Sequence, residues 1–238
     1  MNVTLISHTR EAPELLIFTK STRLNLSPNL LDEIRAWPQE RKEEELKYIA
    51  NTIRSSHEFV DVTFLIEGVS RAFTHQLVRT RSASYAQQSM RVTDQTDFGF
   101  VMPAKLQGDQ IARVVIDAHN KDTSALYRNL LELGHAAEDA RAILPTNIST
   151  NIVAKYNLRA FADLARSRSG GRTQDEYVAV INAMVDQVLG VWPWAEDFIF
   201  EKPRNFFDEI ESWAKQHVPD LLERGKLLKI VDKMRGVK

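Results

Sequence analysis

The chain contains no cysteine. That excludes disulfides, thiolate metal sites and a cysteine nucleophile, and it fits the cytoplasm. Net charge is nearly absent too: 31 Lys and Arg stand against 32 Asp and Glu, a formal charge of −1. No global field therefore argues for nucleic acid or a membrane as partner. Apolar runs are far too short to cross a bilayer. The N-terminus, MNVTLISHTREAPELL, has no basic region followed by a long apolar core, so it does not read as a secretory signal. Common site templates are missing as well. There is no GxGxxG and no GxxxxGKS/T, so neither a dinucleotide fingerprint nor a phosphate loop is indicated. Ser82, Ser84 and Ser89 lack a GxSxG elbow. His8, His57, His75, His119, His135 and His217 show no HExxH or comparable spacing, so no metal site is expected.

What is present is a globular chain of 238 residues with 43% apolar residues, long enough for a substantial core. Alternation predicts strands at 2–7, 60–67 and 149–157. Gly68 is expected to break the second. Helical spacing of Val69, Ala72, Phe73 and Leu77 predicts a helix over 69–81 that leads into a loop. Further helices are expected at 41–54, at 108–118 and 123–134 (two, or one bent), at 135–144, and at 158–166 with Asn157 as its cap. Thr173 and Glu176 read as a capping box opening a helix to about Leu189, with Tyr177, Ile181, Met184, Val185 and Val188 as its apolar stripe. Two charged helices end the chain. No linker or repeat interrupts it. The expected fold is a single α+β domain over 1–238, with a mixed or antiparallel sheet, long helices and a helical C-terminal part from 173 to 238.

The near-zero total hides a local asymmetry. From Gly68 to Thr93 there is no acid, yet Arg71, His75, Arg79, Arg81 and Arg91 fall there. A second cluster, Arg159, Arg166, Arg168 and Arg172, is opposed by Asp163 alone, and Arg141 stands before a proline turn. Arginine suits planar, two-pronged contact with phosphate or carboxylate. The plain alternative is an arginine-rich face paired to acids elsewhere in the chain or across an interface. Gln76 sits on the stripe that should be buried, one turn before Arg79, where an amide needs a partner. That partner is either a backbone carbonyl or a polar ligand shared with Arg79. The glycines of Ser169-Gly170-Gly171, before a helix N-terminus, can present N–H groups to a phosphate or simply end the preceding helix.

Arg79-Thr80-Arg81, seven residues, Ser89 and then Arg91 resembles the Arg-His-Arg, seven residues, Ser signature of flavin-dependent thymidylate synthases. FLIEGVSRAFTHQLVR upstream is similar to that family. So is a second block: ARAILP at 140–145, Asn157-Leu158-Arg159, Arg168 and Gln174. The match spans about 57–180. The resemblance implies an enzyme that binds FAD, takes a methylene from methylenetetrahydrofolate, uses NADPH-derived hydride and methylates dUMP at C5 to give dTMP. It further implies a homotetramer with shared active sites and no nucleophile on the protein. By position, Gln76, Arg79, Gln87, Ser89, Met90 (through its backbone), Arg91, Arg141 and Arg168 would hold dUMP. Arg91 and Arg141 would face its phosphate, and Arg168 would act at the uracil as the catalytic residue. Arg79, Thr80, Arg81, Gln87, Asn157, Arg159, Asp163 and Arg172 would line FAD. The sequence departs from the family at Thr80 (usually His), Val92 (Tyr), Asp163 (Asn) and Arg172 (His), and opposite charges at 163 and 172 suggest a pair. Hydroxymethylation or methylation of a related pyrimidine nucleotide, an inactive nucleotide-binding homologue, and a nucleic-acid-binding module are the alternatives.

Overall fold

A computed structural model describes residues 1–22, 27–93, 99–168, 173–200 and 206–235. The elements run β1 (Asn2–His8), α1 (Ala12–Ser21), α2 (Leu30–Arg35), α3 (Gln39–Thr52), β2 (Asp61–Ser70), α4 (Arg71–Leu77), β3 (Ala83–Gln87), α5 (Gln110–Glu132), α6 (Ala137–Ala140), β4 (Ser149–Asn157), α7 (Leu158–Arg168), α8 (Asp175–Val191), α9 (Glu196–Ile199), α10 (Phe206–His217) and α11 (Leu221–Arg235). The fold is α+β. Its sheet has the order β1-β2-β4-β3, and every pairing is antiparallel.

Alternation places one face of the sheet inside. Val62, Phe64 and Ile66 of β2 and Ile152, Ala154 and Tyr156 of β4 are buried, and α7 lies over them through Phe161, stacked 5.4 Å from Phe64. The α8 stripe expected from spacing is buried as a whole: Tyr177, Ile181, Met184, Val185 and Val188, with Val180 beside them. Each such side chain contributes roughly 1.5–3 kcal/mol on burial. β4 and the start of α7 fall where expected, and Asn157 Oδ1 accepts from Ala160 N at 2.8 Å as the cap.

Several expectations need correction. Gly68 does not end β2. The strand continues to Ser70 through a bulge, with the register shifting between Ile66 and Val69. Gly68 takes φ +63°, open to glycine without strain. Val69 and Ser70 therefore belong to the sheet, and α4 begins only at Arg71, with Ser70 Oγ accepting from Phe73 N at 3.0 Å. The segment after α4 is not a loop: Ala83–Gln87 is strand β3, paired to Tyr156–Ile152 of β4. α5 is one uninterrupted helix. Residues 135–144 hold only a four-residue α6 and a 3-10 turn, Arg141–Ile143. The capping box does not form. Gln174 is the N-cap residue of α8 and makes no side-chain cap bond. Glu176 instead accepts from Ser70 N at 2.7 Å and Ser70 Oγ at 2.6 Å. Two charged carboxylate bonds across the fold win over one local cap.

Met1–Phe200 forms one compact unit and Glu201–Lys238 a second. The second holds α10 and α11, which pack on one another. Asp220 Oδ1 starts α11 by accepting from Leu222 N and Glu223 N. No helix among the described residues is long and apolar enough to cross a membrane.

Candidate functional site

The site is built around α4. This seven-residue helix carries Arg71 and His75 four residues apart, on one face. That face looks toward the 3-10 turn holding Arg141. Together Arg71, His75, Met90, Glu138, Arg141 and Pro145 line a cavity of about 360 Å³. Arg71 Nη2 donates to Gln88 O at 2.7 Å, while its Nε is buried with no hydrogen-bond partner. Burial, and then the charge of Arg141, lowers the Arg71 pKa. Arg141 Nε donates to the backbone oxygen of Glu138 at 3.1 Å. Neither arginine has an ion-pair partner among the described residues. Two guanidinium groups that feel each other's charge, with the Glu138 carboxylate of the same lining paired to Arg91, suit a dianionic ligand.

Arg91 does not line this cavity. Its Nε and Nη2 donate to Glu138 Oε2, at 3.1 and 2.9 Å. The pair is exposed, 63% and 48% for the two side chains, so it contributes at most about 1 kcal/mol and exchanges readily. Ser89 Oγ accepts from Arg91 N at 3.2 Å, and no base is bonded to it among the described residues.

Beyond α4, Arg79, Thr80 and Arg81 form a turn into β3. Both arginine side chains are exposed and without ion-pair partners among the described residues. The two glutamines are engaged internally. Gln76 is half-buried rather than buried, and its Nε2 donates to Gln174 Oε1 at 3.0 Å, a side-chain partner where a backbone carbonyl or a ligand was expected. Gln87 Nε2 donates to Thr74 Oγ1 at 2.8 Å. A second cavity, of about 570 Å³, lies beside the first and shares Thr146 with it; Ser70, Phe100, Asn147, Gln174 and Glu176 are among its lining.

α7 carries the other set. Asn157 caps the helix. Arg159 pairs with Glu58 at 2.6 Å, and Asp163 pairs with Arg166, one turn away. Arg172 and the Ser169-Gly170-Gly171 segment lie outside the described residues. Arg168 Nε is buried without a partner, and its guanidinium carbon lies 4.9 Å from the centroid of the Tyr177 ring. Tyr177 is fully buried, packs 5.0 Å from Phe73 of α4, and has its hydroxyl pKa raised by burial, with Arg168 opposing. The chain Arg168–Tyr177–Phe73 thus ties α7 to the back of α4.

Of the residues singled out from the sequence, one chain brings Met90 and Arg141 into a common cavity, with Arg91 held at its wall by Glu138. Arg79, Thr80, Arg81, Arg159 and Arg168 line neither cavity. Arg71 and His75 are additions. The acid-free run contained both, and their four-residue spacing was the signal that could have placed them together.

Residues 4–194 match the family profile described as thymidylate synthase complementing protein. A flavin-dependent thymidylate synthase of Nitratidesulfovibrio vulgaris is 34% identical over 205 residues, covering 80% of this chain and 83% of that protein. Another, from Geobacter sulfurreducens, is 34% identical over 200 residues, covering 81% and 84%. One from Sulfolobus acidocaldarius is 32% identical over 202 residues, covering 81% and 74%.

Proposed function

From the premise that the chain belongs to the flavin-dependent thymidylate synthase family, we propose that it methylates dUMP at C5 to give dTMP, with FAD as cofactor, methylenetetrahydrofolate as carbon donor and NADPH as reductant. The observation that carries this reading is the basic cavity lined by Arg71 and Arg141, neither of which has an ion-pair partner among the described residues. A nucleotide monophosphate supplies the missing charge.

The residues suit both nucleotides. FAD and dUMP bring three phosphates, and Arg71, Arg79, Arg81, Arg141 and Arg168 carry guanidinium groups with no ion pair among the described residues. The buried, unbonded Nε atoms of Arg71 and Arg168 are donors in need of an acceptor. In our reading Arg141 and Arg71 hold the dUMP phosphate, joined by Arg91 once it leaves Glu138, with Ser89 and the Met90 backbone shaping the wall. Gln76, Gln87 and Arg79 read the rest of the nucleotide through amide and guanidinium groups. Arg79, Thr80, Arg81, Gln87, Asn157, Arg159, Asp163 and Arg172 would hold FAD.

When bound, FAD supplies the hydride chemistry. The protein's part is to bind, to orient and to set the field. Arg168, supported from behind by the Tyr177 ring, stabilises negative charge on the uracil and so raises electron density at C5. Ser89, without a base, serves as a hydrogen-bonding wall and not as a nucleophile. Because Arg168 and the Arg79–Arg81 turn lie outside the basic cavity of their own chain, we assign the complete site to several copies, a homotetramer. An exposed apolar face on α5, with Ile111 at 78%, Val114 at 64% and Val115 at 62% exposure, suits burial between copies. The reading carries a cytoplasmic location and needs no nucleic-acid or membrane partner.

The test is direct. Purified protein should be yellow or take up FAD, and with dUMP, methylenetetrahydrofolate and NADPH it should give a product with the mass of dTMP. Colourless protein that cannot be loaded with FAD overturns the reading.

A further inference from the structure

The Arg79–Arg81 turn follows a short helix, carries two like charges two residues apart, and has no acid paired to it among the described residues. Fixing its residues costs backbone entropy. Two backbone bonds, Arg79 N to Gln76 O at 3.2 Å and Thr80 N to Leu77 O at 3.1 Å, close the turn, and a side chain adds to them. Tyr85 Oη lies 2.9 Å from Leu77 O, the last residue of α4, and 3.0 Å from Thr80 O, in the middle of the turn. Its single proton is shared between those two carbonyls, which bracket Arg79. The Tyr85 oxygen in turn accepts from Tyr156 Oη at 3.2 Å. Tyr156 is fully buried in β4, and the two rings meet edge to face with centroids 5.9 Å apart. β3–β4 pairing fixes both rings, since Ala83 stands opposite Tyr156 and Tyr85 opposite Ala154. Burial raises both hydroxyl pKa values, so both phenols keep their protons at neutral pH.

We propose that Tyr85, backed by Tyr156, is a positioning residue for flavin binding: its hydroxyl pins the carbonyls on either side of Arg79 and so sets the directions in which Arg79 and Arg81 leave the backbone. This rests on the reading of the turn as part of the FAD site. The physical content is preorganisation. An arginine pair already aimed at a diphosphate loses less freedom on binding than one on a loose turn. Tyr156 contributes through Tyr85 by fixing which way the Tyr85 hydroxyl points.

Tyr85→Phe keeps the ring and removes only the clamp. FAD is titrated into the flavin-free, full-length protein and its fluorescence followed, for wild type, Arg81→Ala, Tyr85→Phe and the double variant. Each single change should weaken FAD binding by about tenfold or more, and the double variant should be weakened by clearly less than the product of the two single losses, because part of the Tyr85 effect runs through Arg81 and the rest through Arg79. Losses that simply multiply would mean that Tyr85 supports stability alone and would overturn the positioning role. A silent Tyr85→Phe beside an effective Arg81→Ala would overturn it too, while leaving the flavin reading intact. A silent Arg81→Ala would remove the flavin reading itself and the proposal with it. If Tyr85→Phe does not fold, Tyr156→Phe enters the same cycle. It leaves both carbonyl contacts in place and should cost about threefold in FAD affinity, again coupled to Arg81; multiplying losses again overturn the proposal.

Discussion

Replacing Arg71 by alanine separates phosphate recognition from everything else in the basic cavity. Among the described residues the side chain makes one protein bond, Nη2 to Gln88 O at 2.7 Å, and its Nε is buried and unbonded, with the charge of Arg141 nearby. A charge-assisted hydrogen bond to a phosphate is worth roughly 1.5–3 kcal/mol net, which is about 10- to 150-fold in Kd. Two smaller effects oppose it in part. Repulsion from Arg141 is relieved, and the segment around Gln88 loses an anchor. The assay is calorimetric titration with dUMP and, in parallel, with deoxyuridine, which has the ring and sugar but no phosphate. Arg71→Ala should weaken dUMP by at least about tenfold and leave deoxyuridine within about twofold. The gap should narrow below pH 6, where a phosphate monoester loses its second charge, and at high salt. Equal losses for both ligands, or an unchanged dUMP affinity, would refute the assignment of this cavity to the phosphate.

Three further outcomes follow from the same geometry. Arg168→Ala should lower kcat for dTMP formation by about 10²-fold or more, with Arg168→Lys in between; an unchanged kcat would remove Arg168 from the chemistry. Ser89→Ala should retain partial activity, and mass analysis of wild type during turnover should show no serine adduct; a dead variant together with an adduct would contradict the absence of a protein nucleophile. His57 is buried, with its pKa lowered to about 4 by burial foremost. Unfolding lets it titrate near 6.5, so the unfolded chain binds the extra proton between those values. Stability from this residue is complete above about pH 6.5 and is lost as pH falls toward 4, with a slope of up to about 1.4 kcal/mol per pH unit. Urea midpoints across pH 4–7 should fall less steeply for His57→Phe than for wild type; parallel curves would show that His57 is not the group responsible.

The parts of the fold legible in the sequence are those where one physical signal dominates. β4 alternates cleanly, and the α8 stripe repeats at helical spacing, so both appear as expected. β3 was hidden because Ala83–Gln87 is short and carries only one large apolar side chain, Tyr85; it is a strand because β4 offers it an edge. Val69 satisfied the helical pattern of its successors, but the bulge at Gly68 draws it into the sheet. Glu176 had the right spacing for a local cap, yet Ser70, distant in sequence, binds it with two donors. The site divides similarly. The acid-free arginine run contained Arg71 and His75, which line one cavity with Arg141. The pairings of Arg91 with Glu138 and Arg159 with Glu58 join residues far apart in sequence, which no local pattern encodes. Arg166 with Asp163, one helical turn apart, was within reach of spacing.

The strand order carries a consequence for biosynthesis. β3 follows β2 in the chain, but in the sheet β4 stands between them, and β3 pairs with β4 alone among the strands. On a translating ribosome the arginine turn therefore emerges long before its partner strand exists. Until residues 149–157 arrive, neither Tyr156 nor the edge that seats Tyr85 is available, so a nascent chain stalled earlier holds the signature arginines in sequence but not in space.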